Sequence, residues 1–206
     1  NKKFFWNSEF YVSKDTLIPR PETELIVENA LKLSKQKNNL SVLDIGIGSG
    51  CILLSILKER KNFYGTGIDI SKSCLNISKI NAINLNVCSR LKLIKSDVDK
   101  YFLGKYDLIV SNPPYINKFD IKYLEKDVVK FEPFSALNGG MDGLSEIRKV
   151  IKKSSELIKK NGKFILEIGF DQKNKVINLL KKEGFYINSI EKDLAKNFRC
   201  IISTKL

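Results

Sequence analysis

Asn112, Pro113, Pro114 and Tyr115 follow Ser111 at the end of the apolar run 106–110, where a buried strand is expected to stop. Proline fixes its own backbone and pushes the preceding residue toward extended conformations, so Asn112 and Pro113 are held nearly rigid. Two prolines also remove two N–H donors. The Asn112 side-chain oxygen and the Pro113 carbonyl then stand as fixed acceptors with no local donor competing for them. Such a pair can take both hydrogens of one planar NH2 group, and the Tyr115 ring offers a flat surface on which an amide or a base can stack. A strand-ending turn is the plainer reading of two prolines.

A second stretch with chemical potential is Asp44-Ile45-Gly46-Ile47-Gly48-Ser49-Gly50. Alternating glycines between a strand and a helix let the backbone approach a ligand closely, as nucleotide-like cofactors require. The spacing is G-x-G-x-G instead of G-x-G-x-x-G, and there is no Walker lysine, so the turn alone does not choose the cofactor. Asp69 ends the next strand about twenty residues on, where a carboxylate can accept from ribose hydroxyls. A helix N-terminal charge is its alternative role. Asp97, after a third strand, can accept from an adenine amino group with Val98 beside the ring, or be an isolated acid.

These residues need a scaffold that brings loops to one edge. From residue 39 onward apolar strands alternate with amphipathic helices, the pattern of a parallel sheet covered by helices. Strands are expected at 40–45, 64–70, 91–94, 107–110 and 163–168. The pair 185–191 and 200–204, joined by a longer connection, is expected as an antiparallel hairpin at the sheet edge. Helices are expected at 22–31, 51–59, 71–83, 145–160 and 173–183, with Asn161-Gly162 and Gly184 as C-terminal caps. Ligands then gather where the strands' C-terminal loops emerge.

Composition narrows the chemistry. The 206 residues, 43% hydrophobic and 29% charged, fit one globular domain over 1–206 with a short N-terminal lead and helix. No apolar stretch is long enough to span a membrane and the N-terminus lacks a cleavage-like site, so a cytoplasmic location is expected. Asn1 in place of Met suggests an upstream segment. The chain has no histidine, which removes Ser-His-Asp triads, Cys-His pairs and imidazole bases together. Cys51, Cys74, Cys88 and Cys200 are unpaired in spacing, so neither a disulfide framework, a metal site nor a cysteine nucleophile is expected. The net charge of +13 invites nucleic acid, yet only five of the 36 basic residues are arginine. Lysines on solvated helix faces explain that balance, so no stable nucleic-acid complex is expected. The surplus can still steer an acidic protein partner.

Gly46-x-Gly48-x-Gly50, Asp69 and Asn112-Pro113-Pro114-Tyr115, in that order and spacing, resemble an S-adenosylmethionine-dependent amino methyltransferase. The segment Leu17-Ile18-Pro19-Arg20-Pro21-Glu22-Thr23-Glu24 resembles the signature of the peptide chain release factor glutamine methyltransferases. Phe131-Glu132-Pro133, Ala136-Leu137, Gly139-Gly140, Asp142-Gly143-Leu144, Glu167-Ile168-Gly169 and Gln172 extend the likeness over nearly the whole chain. Pro21-Glu22-Thr23-Glu24 would also start any helix well.

The resemblance implies an α/β fold, a Rossmann-like class I methyltransferase with a mostly parallel seven-stranded sheet and an antiparallel edge hairpin. It implies S-adenosylmethionine held by Gly46, Ile47, Gly48, Ser49, Gly50, Asp69, Asp97, Val98 and Asn112, leaving as S-adenosylhomocysteine. The implied acceptor is the glutamine amide of a release factor's Gly-Gly-Gln motif, with Asn112, Pro113 and Tyr115 as catalytic residues and Pro114 beside them in substrate binding. The family also carries an upstream helical domain, and a monomer is expected. The rival activity is methylation of an exocyclic amino group on DNA or RNA, because the same loop can hold a flipped base. A non-catalytic cofactor-binding module is a third reading. The sequence does not fix the contacts of Arg20 and Thr23.

Overall fold

The structure, a computed structural model, describes residues 1–124 and 132–206, so Phe131 of the Phe-Glu-Pro segment lies outside the described residues. Seven strands form one sheet in the order β5-β4-β3-β6-β7-β9-β8. They are β3 (Ser41–Ile45), β4 (Tyr64–Asp69), β5 (Leu91–Lys95), β6 (Tyr106–Ser111), β7 (Ile158–Glu167), β8 (Phe185–Lys192) and β9 (Phe198–Lys205). The β3, β4, β5, β6 and β7 pairings are parallel, while β9 runs antiparallel to both β7 and β8. The expected sheet and its antiparallel edge are therefore present. The last two strands are longer than expected, and their connection is a tight turn in which the Asp193 amide donates to the Asn197 carbonyl.

Alternation along each strand sorts residues onto two faces. Val42, Leu108, Val110, Ile165 and Ile202 pack into one core with α1 (Glu24–Leu33), α2 (Cys51–Glu59) and α3 (Lys72–Asn84). Leu43, Ile45, Ile109, Phe164, Leu166 and Ile201 pack into a second core with α4 (Ser145–Leu157) and α5 (Lys173–Lys182). Helices covering both faces are what make a parallel sheet stable, and they leave the strands' C-terminal edge as the open rim.

Three departures from the sequence reading have physical causes. The helix expected at 145–160 stops at Leu157, because Ile158 already pairs with Tyr106 across β6 and β7. Asn161-Gly162 does not cap that helix. Asn161 takes a left-handed φ of 62° inside an irregularity of β7, between the pairs Tyr106–Ile158 and Leu108–Lys163. The helix expected from residue 22 begins at Glu24, after a 3-10 turn at Pro21–Thr23. The N-terminal lead forms an antiparallel hairpin of β1 (Lys2–Phe5) and β2 (Ser8–Tyr11), whose Phe5 and Phe10 rings meet edge-on at 6.0 Å. Four-residue strands give too little period-2 signal to read from sequence.

Candidate functional site

A cavity of about 560 Å³ opens at the C-terminal ends of β3, β4 and β6. One side is the glycine turn. Gly46 adopts φ 78°, and a Cβ placed there would meet no atom within 4 Å, so the main chain itself faces open space. Gly46, Ile47, Gly48 and Ser49 line the cavity, whereas Gly50 does not. Gly50 starts α2 at φ 84°, and a Cβ there would sit 2.7 Å from Leu54 Cδ1, so its glycine serves helix packing.

The turn is braced from β4 and α3. The Gly46 and Ile47 amides both donate to the Ile68 carbonyl, and the Gly48 amide donates to Asp69 Oδ2 at 3.0 Å. Buried Asn81 reaches from α3 to the Ser49 carbonyl at 2.8 Å and to the Tyr11 carbonyl at 2.9 Å, tying the hairpin to the turn. Asp69 Oδ1 accepts from the Ser71 amide at 2.8 Å. Burial raises the Asp69 pKa, against the pull of the Ser71, Gly48 and Ile70 amides. Each oxygen keeps acceptor capacity toward the cavity it lines.

Further along the rim, Asp97 and Val98 line the cavity as well. Asp97 also has a structural role that the sequence reading did not consider, since Oδ1 accepts from the Asp99 amide at 3.1 Å and caps a 3-10 turn. Across from it stand Glu146 and Lys149 of α4, paired at 2.8 Å. Cys51 and Cys74 line the same space; burial pushes their thiols up to about 12 and about 11. Both remain protonated and unreactive near neutral pH.

The other side carries the acceptor loop. Asn112, Pro113 and Pro114 line the cavity. Asn112 Nδ2 donates to Thr23 Oγ1 at 3.1 Å. Its Oδ1 has no hydrogen-bond partner among the described residues, yet it is not a buried orphan and stays accessible. Tyr115 does not line the cavity. Its ring packs against the α4–α5 core and its hydroxyl donates to Glu167 Oε1 at 3.2 Å, so the loop turns the ring behind the wall instead of into it.

Gln172 locks this loop. Its Nε2 donates to the Tyr115 carbonyl at 2.9 Å and to the Gly143 carbonyl at 3.0 Å, while its Oε1 accepts from the Gly169 amide at 2.9 Å. Arg20, which lines the cavity beside Thr23, pairs with buried Glu132 at 2.6 Å. That pair joins the turn before α1 to the segment after the acceptor loop.

Two buried carboxylates were not read from sequence as site residues. Asp44 is fully buried and no donor reaches either oxygen; burial, with Asp69 nearby, pushes it up to about 8. The Leu53 amide, without hydrogen-bond geometry, offsets part of that rise. Glu167, at the end of β7, is raised to about 7 by burial. Alternation puts both on the α1–α2 face, and an acid at an inward strand position was the available signal.

Residues 21–130 match the family described as Methyltransferase small domain. The chain is 39% identical over 204 residues to the release factor glutamine methyltransferase of Clostridium acetobutylicum, covering 98% of this chain and 72% of that protein. It is 40% identical over 205 residues to the same-named protein of Caulobacter vibrioides, covering 99% of this chain and 71% of that protein. The chain belongs to the release factor glutamine methyltransferase family. Its fold is shared more widely. A methyltransferase from Pyrococcus furiosus superposes with a TM-score of 0.70 at 19% identity, covering 95% of this chain and 88% of that one. A ribosomal protein L11 methylase from Lactobacillus delbrueckii gives 0.67 at 20% identity, covering 91% and 81%.

As a member of this family the chain is an S-adenosylmethionine-dependent methyltransferase. The residues present fit that cofactor: an uncovered main-chain turn at Gly46, a carboxylate at Asp69 on the cavity wall, and an apolar wall at Val98 and Val150.

Proposed function

We propose that this domain, residues 1–206, transfers a methyl group to the side-chain amide nitrogen of the glutamine in the Gly-Gly-Gln motif of a peptide chain release factor. The observation that carries the reading is the fixed Asn112 side chain: its Nδ2 is occupied by Thr23, which leaves Oδ1 accessible beside Pro113 on the cavity wall. The curated relatives' name supplies the substrate class.

An amide nitrogen is a poor nucleophile because its lone pair is delocalised into the carbonyl. Asn112 Oδ1 and the Pro113 carbonyl accept its two hydrogens and stabilise the positive charge that grows on nitrogen. They also aim the nitrogen at one point, and good orientation can lower a barrier by roughly 7 to 11 kcal/mol. Gly46–Ser49 and Asp69 would hold S-adenosylmethionine, which would supply the electrophilic methyl group and depart as S-adenosylhomocysteine, the methylated nitrogen releasing one of its hydrogens as a proton to water. With no histidine in the chain, orientation by acceptors takes the place of imidazole general-base assistance. Tyr115 contributes from behind the loop instead of stacking on the substrate.

The test is direct. Purified chain, labelled cofactor and a bacterial release factor are incubated, and the modified residue is mapped by mass spectrometry. One methyl on the Gly-Gly-Gln glutamine is expected. Labelling of DNA or RNA with none on release factor would replace this reading with the nucleic-acid one.

A further inference from the structure

Glu167 is a buried acid for which methyl transfer has no direct use. It is 2% exposed at the end of β7, directly behind the acceptor loop. Oε1 accepts from the Tyr115 hydroxyl, and Oε2 has no hydrogen-bond partner. Thr23, also 2% exposed, faces the same carboxylate closely enough to favour its charged form. Thr23 Oγ1 accepts from Asn112 Nδ2, while its own hydroxyl hydrogen has no acceptor among the described residues. A donor without an acceptor and an acceptor without a donor thus stand close together without hydrogen-bond geometry, and a small swing of the Thr23 side chain or of the carboxylate brings them into it.

We propose that Glu167 is a positioning residue that sets which end of the Asn112 amide faces the cavity. The two ends of that side chain have nearly the same shape, so packing alone does not choose between them. Hydrogen-bond direction does. An ionised carboxylate only accepts, so the Thr23 hydroxyl donates to it and has only lone pairs left for Asn112. Asn112 must then present Nδ2 to Thr23, which leaves Oδ1 for the incoming amino group. A protonated Glu167 can donate to Thr23 instead, freeing the Thr23 hydroxyl to donate to Asn112 Oδ1 and withdrawing the acceptor from the cavity.

Several charges face Glu167 and set when this reversal occurs. Burial raises its pKa to about 7, Glu22 before α1 adds to the rise, and Arg199 of β9 and the Tyr115 hydroxyl oppose it. Cys51 of α2 and Cys200 of β9 feel the same carboxylate and stay protonated. The charged, productive direction therefore holds above about pH 7 and is lost below it.

The experiment has one arm that needs no protein substrate. In cofactor-free chain labelled with nitrogen-15, the Asn112 side-chain NH2 signals are assigned by their loss in Asn112→Ala and followed with pH. They are expected to shift with a midpoint close to 7 in the wild type, to stop titrating in Glu167→Gln and Thr23→Val, and to titrate again in Thr23→Ser. Signals that do not titrate in the wild type, or that titrate equally in Glu167→Gln, overturn the proposal. The second arm rests on the release-factor reading: at pH 8, Glu167→Gln should lower kcat by about 10- to 100-fold and remove the acid limb of the pH profile, without changing KM or cofactor affinity. An equal loss of cofactor affinity marks a merely structural role and overturns it too. Should the wild type leave release factor unmodified, the functional reading fails while the titration still decides the relay.

Discussion

On the cavity side that carries the glycine turn, the bracing partners lie 21 to 32 residues away, whereas the acceptor loop opposite is braced by side chains 52 to 89 residues away. Gly48 and its partner Asp69 are 21 residues apart. On the acceptor side, Asn112 and Thr23 are 89 apart, Tyr115 and Gln172 57 apart, and Tyr115 and Glu167 52 apart. The reason lies in what each side must present. A cofactor needs main chain laid bare, which glycines and one strand-to-helix turn supply locally. An acceptor group needs two oxygens aimed at one point, and a loop of prolines cannot hydrogen-bond itself into place.

The contrast predicts separable defects, and the largest should come from Asn112→Ala. Removing a preorganised acceptor is expected to cost about 10²- to 10³-fold in kcat, with cofactor affinity measured by calorimetry close to wild type. Near-normal methylation by this variant would end the claim that the loop orients the nitrogen. Asp69→Ala should show the mirror image. If Asp69 accepts from ribose as proposed, loss of those charge-assisted hydrogen bonds is worth about 1.5 to 3 kcal/mol, so cofactor affinity should fall on the order of 10- to 100-fold while kcat at saturating cofactor changes less. If both variants lose both properties alike, the two sides are one cooperative unit.

Gln172→Ala sharpens the comparison, because Gln172 touches no part of the cavity wall yet joins three loops behind it. A misplacement of the Tyr115 main chain should lower kcat by roughly 10-fold. Leaving a buried carbonyl, a part-buried one and a buried amide short of a partner should also reduce stability by about 1 to 3 kcal/mol in urea unfolding. Cofactor affinity should hold. A pure stability loss at unchanged kcat would show that the acceptor loop keeps its own geometry.

The same contrast explains what was legible in the sequence. Strand and helix periodicity located the sheet, and Gly46, Gly48, Asp69 and Asn112, singled out by their adjacent residues, all line the cavity. Gly50 and Tyr115 look from sequence like ligand contacts, yet Gly50 meets Leu54 and Tyr115 meets Glu167. Motif membership does not say which way a side chain points. Thr23, Gln172 and Glu167 each reach the acceptor loop across at least 52 residues, which no local window reveals. Asp44 was visible as the residue before the glycines, but its burial without a donor follows only from the faces of β3.

Asp44 supplies a test that touches the glycine-turn side alone and leaves methyl transfer out of the readout. Its folded pKa, about 8, lies above the ordinary carboxylate value of 3.8. Between those values the native state holds a proton that the unfolded state has released, so stability falls as pH rises through the window and levels off above it. The slope from this one group is at most about 1.4 kcal/mol per pH unit. Asp44→Asn keeps the shape of the neutral acid without the titration, so in cofactor-free protein its stability relative to wild type should climb steadily from pH 5 to pH 8. Urea unfolding at each pH measures that difference, in which Glu167 and all other shared groups cancel. Parallel curves would mean that Asp44 is ionised in the fold, and that a donor reaches it which the cofactor side of this cavity does not otherwise contain.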